Sequence, residues 1–336
     1  MSKIKVGING FGRIGRLALR AAWGWPEFEF VAINDPGADT HTLAHLLNFD
    51  SVHGTWSREA MADDDDMLID GQRIRVTHNK AIAETDWSGC DLVIEASGVN
   101  RKVAVLQGYL DQGVKRVVVT APVKEPGAKN IVMGVNHESF DPKEASIVTA
   151  ASCTTNCLAP VVRVLHDAIG IERGLVTTIH APTNTQSVHD CAHKDSRRAR
   201  ASQMNLIPTT TNSATAVTII IPELKGKLDS IAVRAPVHNA SLTDCVFHMQ
   251  RDTTIEEVNA AIEKASKSKP LEGILGYETR PLVSSDYARD PRSGIVDALS
   301  TRVTDKRMVK VMIWYDNEWG YVNRMMELTE LVAANI

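Results

Sequence analysis

The segment Lys5-Val6-Gly7-Ile8-Asn9-Gly10-Phe11-Gly12-Arg13-Ile14-Gly15 decides the fold of the first half of the chain. Its apolar start predicts a β-strand, its three glycines have the spacing G-x-G-x-x-G, and an apolar helical pattern follows over residues 14–23. Glycines at these positions allow a tight turn and let a pyrophosphate approach the N-terminus of the helix. We therefore predict a strand–turn–helix site for a dinucleotide around Gly10, Gly12 and Gly15.

An acidic residue at a suitable distance supports this prediction. Residues 30–33 form a second apolar run, and Asp35 follows it, 20 residues after Gly15. A carboxylate at this position binds the ribose hydroxyls of an adenosine and repels a 2′-phosphate. These residues indicate a nicotinamide dinucleotide as the cofactor, with NAD preferred over NADP.

The two halves of the chain differ in their secondary-structure pattern. Residues 91–94 and 115–119 are further apolar runs, and residues 103–112 between them have a helical pattern. Alternating strands and helices predict a doubly wound parallel sheet, the Rossmann arrangement of an α/β protein, over residues 1–150. A long apolar helical stripe and then segments rich in Thr, Val and Ile predict an α+β domain with a mixed sheet over residues 151–315.

The composition excludes several classes of protein. The 336 residues suffice for about two domains, and 37 basic against 41 acidic residues leave no basic surplus for a dedicated nucleic-acid binder. No stretch reaches the roughly 18 consecutive apolar residues of a membrane span. Five sparse cysteines predict reduced thiols in a cytoplasmic protein. The acidic run of residues 63–66 is typical of a solvated turn, and we expect no metal site.

A candidate nucleophile lies at the start of the second half. Ser152-Cys153-Thr154-Thr155-Asn156-Cys157 begins the apolar-striped helix, and a helix N-terminus stabilises a thiolate. Cys157 has the character of a buried structural cysteine. His180 ends a predicted strand over residues 175–180 and is the candidate base. A lone histidine is more often structural, so the residues alone leave its role open.

Five segments together carry a resemblance to a known family. The most specific is Ser152-Cys153-Thr154-Thr155-Asn156-Cys157-Leu158-Ala159-Pro160. The others are residues 7–16 (GINGFGRIGR), 193–195 (HKD), 221–228 (IPELKGKL) and 314–321 (WYDNEWGY). With these segments the chain resembles phosphorylating glyceraldehyde-3-phosphate dehydrogenases along essentially its full length.

The resemblance implies a reaction and the residues that perform it. Cys153 would attack the aldehyde of glyceraldehyde 3-phosphate, while His180 lowers the pKa of the thiol and takes the hydroxyl proton as hydride leaves for the nicotinamide. Inorganic phosphate would then attack the resulting thioester. The implied residues for inorganic phosphate are Ser152, Thr154, Thr211 and Asn212, and those for the substrate phosphate are Thr183, Arg198 and Arg234. Hydroxyls and arginine guanidinium groups suit phosphate oxygens.

The resemblance also implies further cofactor contacts and an assembly. The implied cofactor-binding residues besides the glycines and Asp35 are Asn9, Arg13, Ile14, His78, Ser97, Thr120, Asn184 and Asn317. Residues 316–336 are expected to return as a helix that completes the first domain. Residues 180–200 are expected to form a long loop that reaches a neighbouring subunit in a homotetramer, without a membrane or nucleic-acid partner.

Several positions depart from the family pattern. Asn212 replaces a usual glycine, and we expect the turn to survive because Asn tolerates left-handed backbone. Thr215 replaces a usual lysine, and His78-Asn79-Lys80 replaces a usual Glu-Arg-Asp near the adenine. Cys191-Ala192 replaces the Leu-Pro of strictly NAD-using members, which leaves room for NADP.

Three further segments resemble a narrower bacterial branch. They are residues 21–27, 48–56 and 183–186. That branch is associated with arsenate resistance and an organoarsenical efflux permease. In it arsenate replaces phosphate in the attack on the thioester and gives 1-arseno-3-phosphoglycerate.

Two other functions compete with the triose-phosphate dehydrogenase. One is an erythrose-4-phosphate dehydrogenase of the same superfamily, although residues 208–211 look like the triose enzyme. The other is a non-catalytic, redox-sensing homologue, which the presence of both Cys153 and His180 disfavours.

Overall fold

The computed structural model describes residues 3–336, which form two compact units. The first contains the chain up to Ile131 together with His137–Ala151 and Met325–Ile336. The second contains Val132–Asn136 and Ser152–Arg324. The functional domains predicted from the sequence, with borders near residues 150 and 315, stay a prediction.

The first unit is built on a nine-stranded sheet. Its elements are β1 (Ile4–Asn9), α1 (Arg13–Ala22), β2 (Phe28–Asn34), α2 (Thr40–Asn48), β3 (Phe49–Asp50), β4 (Gly54–Thr55), β5 (Ala60–Asp63), β6 (Asp66–Ile69), β7 (Gln72–Thr77), β8 (Leu92–Glu95), α3 (Val103–Leu110), β9 (Arg116–Val119), β10 (Ala128–Asn130) and β11 (Ile147–Thr149). The strand order is β10-β11-β9-β8-β1-β2-β7-β6-β5, with β3 and β4 forming a separate pair.

This order confirms the predicted doubly wound sheet. All pairs from β10 to β7 are parallel, and only β5 and β6 are antiparallel additions at one edge. The chain passes from β1 to β2 on one side and later to β8 on the other, so the order reverses between β1 and β8. In open α/β sheets, ligands bind outside the carboxyl ends of the strands at such a reversal.

The predicted apolar runs form the buried strands in the middle of this sheet. β8 (Leu92–Glu95) is buried along its whole length, and the last three residues of β9 are buried as well. The acidic run of residues 63–66 forms the turn between β5 and β6, with Asp64 at a φ of 52°. This turn confirms the interpretation of the run as a turn.

The second unit is built on an eight-stranded mixed sheet. Its elements are α4 (Cys153–Ala168), β12 (Ile171–His180), β13 (Ile207–Thr210), α5 (Ser213–Ile220), β14 (Leu228–Arg234), β15 (Ser241–Met249), α6 (Ile255–Ser266), β16 (Leu275–Glu278), β17 (Gly294–Asp297), β18 (Arg302–Thr304) and β19 (Met308–Tyr315). The strand order is β13-β14-β12-β15-β19-β17-β16, and β18 pairs with β19. Only β12 with β14 and β16 with β17 pair in parallel, so the predicted mixed sheet is confirmed.

Three features of the second half follow from its sequence. α4 buries the predicted apolar stripe, including Leu158, Val161 and Leu165, and continues through Pro160. Residues 181–206 contain neither helix nor strand, as the expected long loop requires. The terminal helix α7 (Trp319–Ala333) begins in the second unit, and its residues from Met325 onward belong to the first.

No helix within residues 3–336 has the length and apolar character needed to cross a membrane.

Candidate active site

The glycines of the first turn each meet a different steric demand. Gly10 has a φ of 90°, and a Cβ there would overlap the backbone of Ser97. A Cβ at Gly15 would overlap the carbonyl oxygen of Gly10. A Cβ at Gly12 would meet no atom within 4 Å. Gly10 and Gly15 therefore close the turn, whereas Gly12 keeps open space at the start of α1, where a pyrophosphate fits.

The N-terminus of α1 is suited to an anion. Its N-cap, Gly12, supplies no side-chain hydrogen bond, and its first turn contains no acidic residue. The N–H groups of a first helical turn and the helix dipole favour a negatively charged ligand. Arg13 and Ile14 can serve it through their main chain only, because the Arg13 guanidinium binds both oxygens of Asp50, at 2.9 and 3.2 Å.

The pairing with Arg13 is reflected in the pKa of Asp50. Burial raises this pKa, but hydrogen bonds from Arg13 and from the N–H groups of His53 and Val52 outweigh it and lower the pKa to about 2. The ion pair with Asp50 thus restricts the predicted role of Arg13 in cofactor binding to its main chain, and the glycine motif could not show this ion pair.

Asp35 and His78 lie together beyond the ends of neighbouring strands. Asp35 accepts hydrogen bonds from the N–H of Phe11 at 2.6 Å and of Gly37 at 2.8 Å. His78 Nδ1 lies 2.9 Å from the carbonyl oxygen of Asp35, and its Nε2 lies 3.4 Å from Thr40 Oγ1. The predicted ribose-binding acid is therefore held against the glycine turn, and Thr40 is a neighbour that the sequence did not reveal.

The other cofactor candidates of the first unit also lie at the carboxyl ends of the parallel strands. Asn9 is the last residue of β1, Ser97 lies two residues after the end of β8, and Thr120 directly follows β9. Ser97 N–H donates to a carboxylate oxygen of Glu95 at 2.8 Å, and Thr120 N–H donates to the Glu95 carbonyl at 3.0 Å. Asn9 and Ser97 lie where the strand order reverses, between β1 and β8, and Thr120 lies one strand further on.

Two cofactor candidates lie in the second unit. Asn184 is exposed in the segment without helix or strand. Asn317 is buried, and its Oδ1 accepts a hydrogen bond from Ser241 Oγ at 2.9 Å.

The second unit brings the candidate nucleophile and base together. Cys153 is the first residue of α4, and Ser152 caps the helix by accepting a hydrogen bond from Thr155 N–H at 3.2 Å. His180 ends β12, the parallel neighbour of β14. The Cys153 sulfur lies 3.6 Å from His180 Nε2, which is within reach for proton transfer. The role of His180, left open by its residue type, is favoured by this contact.

His180 is held on its far side by two groups. Nδ1 lies 2.6 Å from the carbonyl oxygen of Ala181 and 2.6 Å from Arg234 Nη1. Nδ1 can donate to the carbonyl or accept from the guanidinium, but not both, so these contacts correspond to two tautomers. Burial and then the charge of Arg234 lower the pKa of His180 to about 3. The imidazole is therefore neutral near pH 7 and able to accept a proton.

The thiol is less acidic than its place on a helix suggests. Burial raises the pKa of Cys153, while a hydrogen bond with Thr154 and the charge of Arg234 oppose the rise. The predicted stabilisation of a thiolate by the helix N-terminus is therefore opposed by burial. Deprotonation of Cys153 thus depends on neutral His180 as a proton acceptor.

Tyr315 joins the site from the end of β19. Its hydroxyl lies 2.9 Å from Thr154 Oγ1 and 3.1 Å from Thr178 Oγ1, and its ring faces His180 edge-on at 6.0 Å. Thr154 is one of the predicted phosphate-binding residues, so Tyr315 orients it. The sequence missed this role because an inward tyrosine on a strand looks like ordinary core.

Two arginines lie near each other in the second unit, and one of them, Arg234, contacts His180. Arg234 Nε is buried and has no hydrogen-bond partner among residues 3–336, although its Nη1 binds the Ala181 carbonyl at 2.9 Å. Arg198 donates to Thr209 Oγ1 at 2.6 Å and to the Thr210 carbonyl at 3.2 Å. Burial, together with nearby Arg198, lowers the pKa of Arg234. An unpaired buried guanidinium N–H suits a phosphate oxygen.

The remaining phosphate candidates contact their own turns. Thr183 Oγ1 lies 3.0 Å from Thr185 Oγ1, and Thr211 Oγ1 accepts from Ser213 N–H at 3.3 Å. Asn212 is the N-cap position of α5 with a φ of −109°. The expectation of left-handed backbone at Asn212 is therefore wrong: the turn needs no glycine, because a helix N-cap adopts a negative φ that any residue tolerates.

No group of three His, Cys, Asp or Glu residues placed to hold a metal ion occurs within residues 3–336.

Comparison with known proteins agrees with both units. Residues 4–103 match the model of the glyceraldehyde 3-phosphate dehydrogenase NAD binding domain, and residues 152–317 match that of the C-terminal domain of the same enzyme. The first match confirms the predicted NAD-binding domain.

Curated relatives cover nearly the whole chain. Glyceraldehyde-3-phosphate dehydrogenase 3 of a Nostoc species is 58% identical over 336 residues, which are 99% of both proteins. Glyceraldehyde-3-phosphate dehydrogenase 1 of Bacillus subtilis is 47% identical over 332 residues, and the enzyme of Geobacillus stearothermophilus is 46% identical over 333, in each case with 98% of both chains covered. The chain therefore belongs to the glyceraldehyde-3-phosphate dehydrogenase family, as its motifs predict.

Proposed function

We propose that this protein oxidises glyceraldehyde 3-phosphate with NAD and inorganic phosphate to 1,3-bisphosphoglycerate, through a thioester on Cys153. The observation that carries the proposal is the 3.6 Å contact between the Cys153 sulfur and His180 Nε2. The family and its NAD-binding domain support it.

The contact between the two side chains defines the proton transfers. Cys153 attacks the aldehyde carbon, its thiol proton passes to His180 Nε2, and the new hydroxyl receives that proton. His180 removes the proton again as hydride leaves the same carbon, so the carbon is oxidised to a thioester. NAD, when bound, supplies the hydride acceptor. A phosphate oxygen then attacks the thioester carbonyl, and the Cys153 thiolate leaves and is reprotonated from His180.

Arg234 links substrate binding to the protonation of His180. The tautomer that leaves Nε2 able to accept a proton is the one in which Nδ1 donates to the Ala181 carbonyl. Arg234 competes for Nδ1 at 2.6 Å. A substrate phosphate that draws Arg234 toward itself, with Arg198 and Thr183 beside it, therefore favours the tautomer that acts as a base.

Cofactor preference follows from Asp35 and the pyrophosphate site. Asp35 carries its negative charge at the ribose position, so we propose NAD as the preferred cofactor with slower use of NADP. Asn9, Ser97, Thr120 and His78 line the same sheet edge, and Asn184 and Asn317 are proposed to contact the nicotinamide half.

We further propose that the protein acts as a homotetramer in the cytoplasm. The outward face of the second sheet exposes Leu175 and Ile231, at 68% and 46%, and the long loop exposes Met204, Leu206 and Val188. Apolar patches of this kind mark protein–protein interfaces. The five free cysteines suit a reducing compartment. A monomeric mass in sedimentation at micromolar concentration would contradict the tetramer.

The oxyanion is a separate question, and arsenate is a candidate beside phosphate. Ser152, Thr154 and Thr211 offer hydroxyls, which bind either tetrahedral anion, and Asn212 replaces the usual backbone-only glycine. We propose that arsenate is accepted in place of phosphate and gives 1-arseno-3-phosphoglycerate.

Steady-state formation of NADH tests both proposals. Glyceraldehyde 3-phosphate is supplied with phosphate and arsenate varied separately, and erythrose 4-phosphate serves as the competing substrate. Turnover that requires glyceraldehyde 3-phosphate and an oxyanion supports the dehydrogenase. Thiol oxidation without turnover would instead favour a redox sensor. A strong preference for phosphate, together with no transporter gene nearby, would contradict the arsenate role and leave the dehydrogenase intact.

A further inference from the structure

Four adjacent strands of the first sheet end in polar residues. Thr77, Asn34, Asn9 and Glu95 are the last residues of β7, β2, β1 and β8, which lie side by side in that order. Asn34, Asn9 and Glu95 are 3%, 5% and 1% exposed. Apolar residues are the usual choice for such buried positions, so a polar row here indicates a specific role.

Direct hydrogen bonds connect these four side chains in one direction. Thr77 Oγ1 donates to Asn34 Oδ1 at 2.8 Å, Asn34 Nδ2 donates to Asn9 Oδ1 at 2.8 Å, and Asn9 Nδ2 donates to a Glu95 oxygen at 2.9 Å. We call these four residues the strand-end chain. Outside this row, the main chain of Asn79 also holds the Asn34 amide, through its N–H at 2.9 Å and its carbonyl at 3.0 Å, and Asn9 Nδ2 also donates to the Tyr109 hydroxyl at 2.6 Å. Within the row every donor points toward Glu95, which is the final acceptor.

Glu95 accepts every hydrogen bond that reaches it. Besides Asn9 it binds the Tyr109 hydroxyl at 2.6 Å, the Asn100 amide at 2.9 Å and the N–H of Ser97 at 2.8 Å, and it also accepts from the Ser97 hydroxyl. Within residues 3–336 it forms no ion pair with Lys or Arg. A buried carboxylate of this kind is stable only while donors surround it, so these donors are held in place by its charge.

Each residue of the strand-end chain is followed within two residues by a proposed cofactor contact. Gly10 follows Asn9, Asp35 follows Asn34, His78 follows Thr77, and Ser97 lies two residues after Glu95. The main chain repeats the connection, since Gly10 N–H donates to the Asn34 carbonyl and Ala96 N–H donates to the Asn9 carbonyl, at 2.8 and 2.7 Å. The turn around Ser97, the glycine turn and the turn around Asp35 are therefore all connected to the hydrogen bonds of the strand-end chain. We call the first and the last of these the Ser97 turn and the Asp35 turn.

We propose that Glu95 is a positioning residue of the NAD site, whose carboxylate anchors the strand-end chain and thereby couples the Ser97 turn to the Asp35 turn, which binds the adenosine part of NAD. This inference rests on the proposed function, because it assumes that NAD occupies this sheet edge. It extends that function by assigning adenosine affinity to a carboxylate two strands away from Asp35.

The variant Glu95→Gln tests the coupling with minimal change of shape. The glutamine replaces a carboxylate, which only accepts hydrogen bonds, by an amide that also donates. The amide NH₂ would then face the donors that now bind the Glu95 carboxylate. Dissociation constants for NAD and for AMP, measured by calorimetry, should each rise about tenfold, while kcat at saturating NAD stays within about twofold. AMP reports on the adenosine end alone.

Two further variants keep the test falsifiable. Asn34→Ser interrupts the strand-end chain but retains Glu95 and the proposed cofactor contacts, and it should weaken AMP binding as E95Q does, even if E95Q folds poorly. Val118→Ala removes buried methyl groups from β9 and no hydrogen bond, so it should destabilise the unit yet leave both dissociation constants unchanged.

The outcomes separate this inference from the proposed function. AMP affinity that is unchanged in E95Q and N34S would overturn the coupling. An equal loss in V118A would overturn it too, since general destabilisation would explain the effect. A wild-type protein that fails to bind NAD would instead refute the proposed function.

Discussion

The candidate sites of the two units are encoded at different ranges in the chain. The dinucleotide turn of the first unit comes from Gly10, Gly12 and Gly15, which are neighbours in sequence as well as in space. The candidate catalytic group of the second unit comes from the start of a helix at Cys153 and the ends of two strands, at His180 and Arg234. The first could be recognised from spacing, whereas the second depends on how distant segments pack.

Removal of the nucleophile should give the largest difference between catalysis, which depends on the second unit, and NAD binding by the glycine turn of the first. The variant Cys153→Ser should lower kcat by roughly 10⁴-fold or more, because a hydroxyl is a far weaker nucleophile at this position. Its dissociation constant for NAD should equal that of the wild type, because the glycine turn is untouched. Wild-type turnover by C153S would contradict the mechanism. Lost NAD binding by C153S would contradict the assignment of NAD binding to the glycine turn and of the chemistry to Cys153.

Loss of the base should have the next largest effect. The variant His180→Asn should slow turnover by roughly 10²–10⁴-fold, the usual size of lost acid–base catalysis. Alkylation of Cys153 by iodoacetamide at pH 7 should slow as well, since burial raises the thiol pKa and the proton acceptor is gone. Unchanged alkylation would show that the helix N-terminus alone activates the thiol.

Two glycines of the first unit form a matched pair. Gly15→Ala should lower the free energy of unfolding by about 2 kcal/mol, because its Cβ would overlap the Gly10 carbonyl. Gly12→Ala should leave that free energy nearly unchanged, because its Cβ meets no atom within 4 Å. It should nevertheless weaken NAD binding, since the methyl group would occupy the pyrophosphate space. Chemical denaturation and calorimetry measure the two effects, and a stable G15A would refute the steric account.

The smallest effect concerns the pH dependence of stability. The pKa of His180 is about 3 in the folded protein against 6.5 for the free side chain, so the unfolded chain binds more protons between these values. The contribution of neutral, buried His180 to the free energy of unfolding is fully present above pH 6.5 and is lost as the pH falls toward 3. At pH 5 the loss should be about 2 kcal/mol relative to pH 7. H180N should lack this component, and identical pH profiles for the two proteins would contradict it.

The sequence predicted the glycine turn and the parallel core of the first unit because that information is local, whereas α2 and strands β3 to β7 were not predicted. Strand, turn and helix lie within one continuous segment, and the conformations that Gly10 and Gly15 must adopt depend on atoms a few residues away or on the adjacent strand. The alternation of strands and helices then restricts the sheet to a parallel order. In the second unit the motif around Cys153 indicated the helix and the nucleophile, and the family resemblance indicated His180.

Tertiary structure alone decided the environment of those groups. Nothing in the sequence places Tyr315 against Thr154, pairs Arg13 with Asp50, or ends the strand-end chain at Glu95. The pKa of His180 and of Cys153 depends on burial and on the charge of Arg234, and both arise only when separate strands come together. Sequence spacing determines conformations along the chain, but desolvation and Coulomb interactions depend on distances through space, which only the folded protein defines.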